Sequence, residues 1–130
     1  MPHVHVDYSP NLPDRLDIPA LLVVIRNAMA VTGVFPPAGL RIRATAADHV
    51  LIADGDPGHA FLDISIRLRA GRPLEARQAA VVQVFDAVQT FCTPVLESSS
   101  LLISLELREI DPTQSRNASS IRRYLPEGLH

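Results

Sequence analysis

Pro2 and a set of arginines are the residues here whose types and spacing would do chemistry. Pro2 directly follows the initiator methionine, Met1. Initiator methionine is usually removed ahead of a small residue, proline included. The product would begin with a secondary amine on a rigid ring. An α-amino group titrates near neutrality, at roughly pKa 8 in model peptides. Burial or nearby cations lower it further. Such an amine is a base at working pH without help from a side chain.

Arg41 and Arg43 lie two residues apart and share one face of a strand, as do Arg67 and Arg69. A planar, permanently charged guanidinium is the natural partner of a carboxylate, bidentate where geometry allows. The competing reading is a solvated or salt-bridged strand face, with Asp63, Glu106 or Asp48 as partners, and Arg67 and Arg69 fit it best. Arg72 differs. It falls where a helix opening at Pro73 has its N-cap, a position that prefers Ser, Thr, Asp or Asn. A cation there opposes the helix dipole, and a local choice that costs stability points to function. The free N–H groups of Leu74 and Glu75 beside it add to a carboxylate site.

Other chemistries find less support. His3, His5, His49, His59 and His130 have no metal-ligand spacing, so no metal is expected. There is no glycine-rich phosphate loop, Gly-x-Ser-x-Gly or CxxC motif. Asp7, Asp63 and Glu106 have the chemistry of acid/base pairs, but nothing in the sequence brings them together. Cys92, the only cysteine, reads as a small core residue amid Phe85, Val88 and Phe91, and excludes an intrachain disulfide. Ser98-Ser99-Ser100 reads as a strand-entry turn.

The 130 residues suffice for one domain, and the 47% hydrophobic and 20% charged shares are those of a globular protein. A net charge of -2, without tryptophan, argues against nucleic acid and anionic membrane surfaces as partners. The apolar run over residues 18–25 is too short to span a bilayer. No segment reads as a signal peptide, and a cytoplasmic protein is expected.

These residues need elements to hold them. Val4, Val6 and Tyr8 alternate with His3, His5 and Asp7 as a half-buried strand does. Asp17 is a natural N-cap, Pro19 fits the first helical turn, and Leu21, Leu22, Ile25, Ala28 and Met29 form a stripe that stops at Gly33. Alternation returns from Leu40. A turn at residues 54–58 precedes a clear strand over residues 60–69. A second helix follows Pro73, with Leu74, Val81, Val82, Phe85, Val88 and Cys92 as its buried face and Pro94 as its end. Leu101, Ile103, Leu105 and Leu107 mark the last strand. Ile121, Tyr124 and Leu125 punctuate a polar tail that packs as a short helix or arm. The order is strand–helix–strand twice, so the expectation is an α+β, two-layer protein with both helices on the aliphatic face of a four-stranded sheet. The opposite sheet face is charged but carries Phe61 and Leu102. It faces either water or other subunits around a symmetry axis.

The runs Met1-Pro2-His3, Phe35-Pro36-Pro37-Ala38-Gly39-Leu40-Arg41-Ile42-Arg43 and Ala70-Gly71-Arg72-Pro73-Leu74-Glu75-Ala76-Arg77-Gln78 carry a resemblance. With Thr32-Gly33-Val34, Ala53-Asp54-Gly55 and Ala60-Phe61, and loosely Asp111-Pro112-Thr113, they make the chain resemble the tautomerase superfamily, and within it the 5-carboxymethyl-2-hydroxymuconate Δ-isomerases. The likeness runs to about residue 125; Tyr8 and residues 116–120 depart from it. It implies a single tautomerase-like domain over residues 1–130, with repeats over about 2–54 and 59–110 and a C-terminal arm over about 111–130. It implies a homotrimer of tandem β-α-β units, Pro2 as catalytic base, and Arg41, Arg43 and Arg72 as ligands of substrate carboxylates. No metal or organic cofactor is implied. The substrate class it implies is a small polycarboxylate from aromatic-compound breakdown by the homoprotocatechuate route. The rivals are another reaction of the same scaffold, such as decarboxylation, hydration or dehalogenation of a small unsaturated acid, and a non-catalytic trimeric binding protein.

Overall fold

A computed structural model describes residues 2–129. The removal of Met1 and the histidine at 130 lie outside the described residues. The alternating amino-terminal run forms β1 (His3–Tyr8), with Val4 and Val6 fully buried. Ser9 closes the strand. Its N–H donates to the Phe61 carbonyl at 3.1 Å, and its hydroxyl accepts from the Phe61 N–H at 3.0 Å and donates to Asn11 Oδ1 at 2.7 Å. Among the described residues Ser9 is the buried polar side chain of the core, and these bonds satisfy it.

Helix α1 (Ile18–Thr32) starts and stops as its sequence dictates. The Asp17 carboxylate accepts from the Ala20 N–H at 3.0 Å, and Gly33 takes the left-handed cap conformation at φ 71°. Ile18, Leu21, Ile25 and Met29 form its buried stripe. β2 (Arg41–Ala46) returns parallel to β1.

The second unit repeats this plan with β3 (Ala60–Arg69), α2 (Leu74–Ser98) and β4 (Leu101–Ile110), β4 lying parallel to β3. The two units join through antiparallel β1 and β3, giving the sheet order β2-β1-β3-β4. Ala60, Leu62, Ile64, Ile66 and Leu68 point from β3 into the core beneath the helices. The expected α+β architecture, two helices on one face of a four-stranded sheet, is the one found.

Three expectations for α2 need correction. Its N-cap is Pro73, so Arg72 stands one residue ahead of the cap, and no side chain caps the first turn. Pro94 does not end the helix, which continues to Ser98. Val95 is packed into the core there, and the Ser98 hydroxyl and Ser99 N–H donate to the Pro94 and Val95 carbonyls at 2.7 and 2.9 Å. That burial and those bonds outweigh the missing proline N–H. The buried face is Ala80, Val84, Val88, Cys92 and Val95; Leu74 and Val82 are exposed. By length and composition α2 is apolar enough to cross a bilayer, but that face is spent on the sheet.

The tail makes short 3-10 turns at Pro112–Gln114 and Ile121–Tyr124. Residues 112–117 share a cleft with Arg69, and residues 117–121 share one with Gly39, Leu40 and Arg41. The arm therefore crosses one end of the sheet, from the end of β3 toward the start of β2. Leu125 and Leu129 then close an apolar cavity of about 900 Å³ beside α1, Phe35 and Leu40.

Candidate active site

Strand polarity gathers one end of the sheet. β1 and β2 run parallel and in register, so Pro2 lies at the start of both, and its carbonyl accepts the Arg41 N–H at 3.3 Å. β3 runs antiparallel to β1, so its end and the turn carrying Arg72 arrive at the same edge. Pro2 has the parity of Val4 and Val6 and is buried. Residues far apart in sequence, Pro2, Arg41 and the turn carrying Arg72, are thus placed at one end of the sheet, with the C-terminal arm across it.

The arginines are held differently. The Arg41 guanidinium is clamped on two sides: Nη1 donates to the Gly39 carbonyl at 2.9 Å, and Nη2 lies 2.6 Å from His3 Nε2. A guanidinium only donates, so His3 Nε2 accepts and its proton sits on Nδ1. Partial burial, then the positive charges of Arg41, Arg67 and Arg43, hold the His3 pKa below its usual value of 6.5. His3 is therefore the neutral imidazole that this contact needs. Arg72 is half-buried and turns back, donating from Nη1 to the Arg69 carbonyl at 3.1 Å. Its own carbonyl accepts from Arg77 Nε at 3.2 Å, and Arg77 pairs with Glu109 at 3.4 Å. This bracing fixes the turn between β3 and α2.

Arg43 does not join them. It lies two residues farther along β2, about 7 Å from Arg41 along the strand, level with His5. It lines a different cavity on the helix-free face, with His3, His5, Ser65, Arg67 and Arg108. His3 is the residue that sequence reasoning weighed only as a metal ligand. Its contact with Arg41 depends on the β1–β2 register, which alternation alone does not supply. Asp7 and Asp63 are cross-strand neighbours, but the Asp63 carboxylate is engaged by the Ser104 hydroxyl at 2.6 Å. Glu106 is tied to Arg108 at 2.6 Å. Among the described residues no group of three His, Cys, Asp or Glu side chains gathers to hold a metal ion.

Tandem β-α-β units on one sheet, with a proline ahead of the first strand and an arginine at the start of the parallel strand beside it, make up the arrangement that the resemblance to the tautomerase superfamily implies. A model of the 5-carboxymethyl-2-hydroxymuconate isomerase family matches residues 2–125, and the chain belongs to that family. It is 36% identical over 113 residues to a 5-carboxymethyl-2-hydroxymuconate Delta-isomerase of Escherichia coli, covering 87% of this chain and 90% of that protein. A crystal structure of a 5-carboxymethyl-2-hydroxymuconate isomerase from Deinococcus radiodurans R1 superposes with a TM-score of 0.86 at 26% identity, over 96% of this chain and 95% of that one. Another, of a 5-carboxymethyl-2-hydroxymuconate delta-isomerase, gives 0.88 at 24% identity, over 98% and 95%.

Proposed function

We propose that the chain isomerises 5-carboxymethyl-2-hydroxymuconate to its 2-oxo form, with the Pro2 amine as the base and Arg41 and Arg72 binding substrate carboxylates. The observation that carries the reading is the convergence of Pro2, Arg41 and the Arg72 turn at one end of the sheet in a chain of this family. The reaction moves a proton from the 2-hydroxyl side of a conjugated system to a carbon farther along, turning enol to ketone. One group serves for both removal and return if its pKa lies near the working pH. Once Met1 is gone, guanidinium charges near the amine disfavour its protonated form and keep it a base. The same charges hold the carboxylates and stabilise the dienolate between the two proton transfers. Neutral His3 supports this arrangement by holding Arg41 without competing for the anion. Arg43 fits less well, since it lies two residues farther along β2 than Arg41 and lines a cavity with Arg67 and Arg108.

A homotrimer belongs to the same proposal. β2 and β4 are edge strands, and the helix-free face is charged, with Arg41, Arg43, Arg67 and Arg108 toward one end and Asp7 and Asp63 toward the other. Both features call for a partner surface. The cytoplasm is the proposed compartment, and the solitary buried thiol of Cys92 accords with it.

The test is turnover of 5-carboxymethyl-2-hydroxymuconate, followed by loss of the conjugated enol's ultraviolet absorbance. Pro2→Ala should lower kcat more than it raises KM, because a primary, more mobile amine replaces the ring nitrogen. No turnover by a protein whose mass shows Pro2 at its terminus would refute the proposed reaction.

A further inference from the structure

We infer, resting on the reaction proposed above, that the C-terminal arm completes the substrate pocket: Arg116 binds the carboxylate of the substrate's carboxymethyl branch, and Asn117 lies against the chain between Arg41 and Arg72. 5-Carboxymethyl-2-hydroxymuconate carries three carboxylates, all ionised at neutral pH. Two end its conjugated chain, and the third ends the branch. Arg41 begins β2, and Arg72 follows the end of β3. Those strands lie two spacings apart across β1, about 10 Å. Such a gap suits the two ends of the conjugated chain, one carboxylate to each guanidinium. The branch carboxylate then needs a ligand of its own.

The arm supplies it. Residues 115–120 cross this end of the sheet between the turns Pro112–Gln114 and Ile121–Tyr124. Both ends of the crossing are anchored. The Asp111 carboxylate accepts from the Thr113 N–H and hydroxyl at 2.9 and 2.7 Å, and Leu125 lines the apolar cavity beside α1. Arg116 and Asn117 line a cleft of about 440 Å³ with Arg69, whose carbonyl holds the Arg72 guanidinium. Asn117 also lines the cleft of about 200 Å³ that contains Arg41. It is therefore common to the two sides of the site, with Arg116 beside it on the Arg69 side. The acids where β4 ends are already engaged, Asp111 in its own turn and Glu109 with Arg77 at 3.4 Å. A guanidinium matches a carboxylate, and the Asn117 amide both donates and accepts. A triply charged acid thus meets one arginine from each of three elements: β2, the turn after β3, and the arm.

Isothermal titration with glutarate and with propane-1,2,3-tricarboxylate tests this without turnover, because the two acids differ by one branch carboxylate. The wild type should bind the tricarboxylate about tenfold tighter, the gain from one charge-assisted contact. Arg116→Ala should erase that preference and leave the glutarate Kd unchanged. It should also raise KM for 5-carboxymethyl-2-hydroxymuconate about tenfold, with kcat within about twofold. Arg116→Lys should restore part of both, and Asn117→Ala should weaken both acids. Arg123→Ala, which removes an arm arginine stacked over Tyr124 at 5.7 Å, should match the wild type. A wild type that turns over the substrate yet shows no preference between the acids would overturn the inference and leave the reaction standing. An Arg116→Ala protein that keeps the preference and its KM but melts earlier or dissociates would also overturn it, since Arg116 would then be a structural or subunit contact. A preference lost in Arg116→Ala, in a protein that turns over nothing, would keep the third carboxylate site and refute only the reaction.

Discussion

Arg72 makes the residue-scale claim testable because its structural and chemical roles differ in size. Its side chain makes one hydrogen bond, to a carbonyl at the surface, and stands near the positive end of α2. Removing it costs folding about one ordinary hydrogen bond, offset by relief of the dipole. Removing a carboxylate ligand costs catalysis about 3 kcal/mol, roughly 100-fold in kcat/KM. Arg72→Ala should therefore lose turnover while its Tm stays within about 3 °C of wild type. A variant that melts far earlier yet turns over normally would make Arg72 a structural residue. His3 carries a pH signature. Burial and the surrounding arginines depress its folded pKa below 6.5. Below about pH 6.5 the unfolded chain takes a proton that the folded one resists, so stability falls as pH falls. His3→Gln, which keeps an acceptor for Arg41 but does not titrate, should lose less Tm between pH 7.5 and 5.5 than wild type. Equal losses would mean that His3 does not set that slope. At this scale the sequence was informative about which residue types mattered and silent about their pairing. Period two put Arg41 and Arg43 on one face; only the register separates them, sending one to His3 and the other to Arg67.

Element boundaries were legible where a single physical signal dominated. Alternation marked β3 over the residues it occupies, and Asp17 and Gly33 bracket α1 through a side-chain cap and a left-handed stop. α2 was harder because its surface is apolar on several sides. Val81, Val82 and Phe85 compete in pattern with Ala80 and Val84, so the stripe is set by packing, not by hydropathy alone. Pro94 is read from local rules as a stop, but tertiary burial of Val95 carries the helix one turn further. Pro94 is exposed and withholds an N–H from the turn before it. Pro94→Ala should therefore stabilise the protein by about 1–3 kcal/mol, read as a rise in the chemical-denaturation midpoint. A fall would mean that the ring itself packs usefully where the helix meets the Ser98–Ser100 turn.

For the whole molecule, the order of elements foretold two β-α-β units. Their joining through antiparallel β1 and β3 is what brings Pro2 to Arg41 and the Arg72 turn together. The arm is legible only as a polar stretch with apolar punctuation; its course past Arg69 and Arg41 depends on where β4 ends. A sheet with two open edges and a charged free face predicts a trimer by light scattering at micromolar concentration. A monomer would count against the assembly and leave the face to solvent. Within that assembly a free prolyl nitrogen at residue 2 is proposed to do the proton transfer. The most direct measurement compares two preparations verified by intact mass, one beginning at Pro2 and one extended by a residue ahead of it. The first should turn over 5-carboxymethyl-2-hydroxymuconate, and the second should lose at least about 100-fold, because its nitrogen is an amide. Equal rates from the two preparations would contradict the proline's role as base.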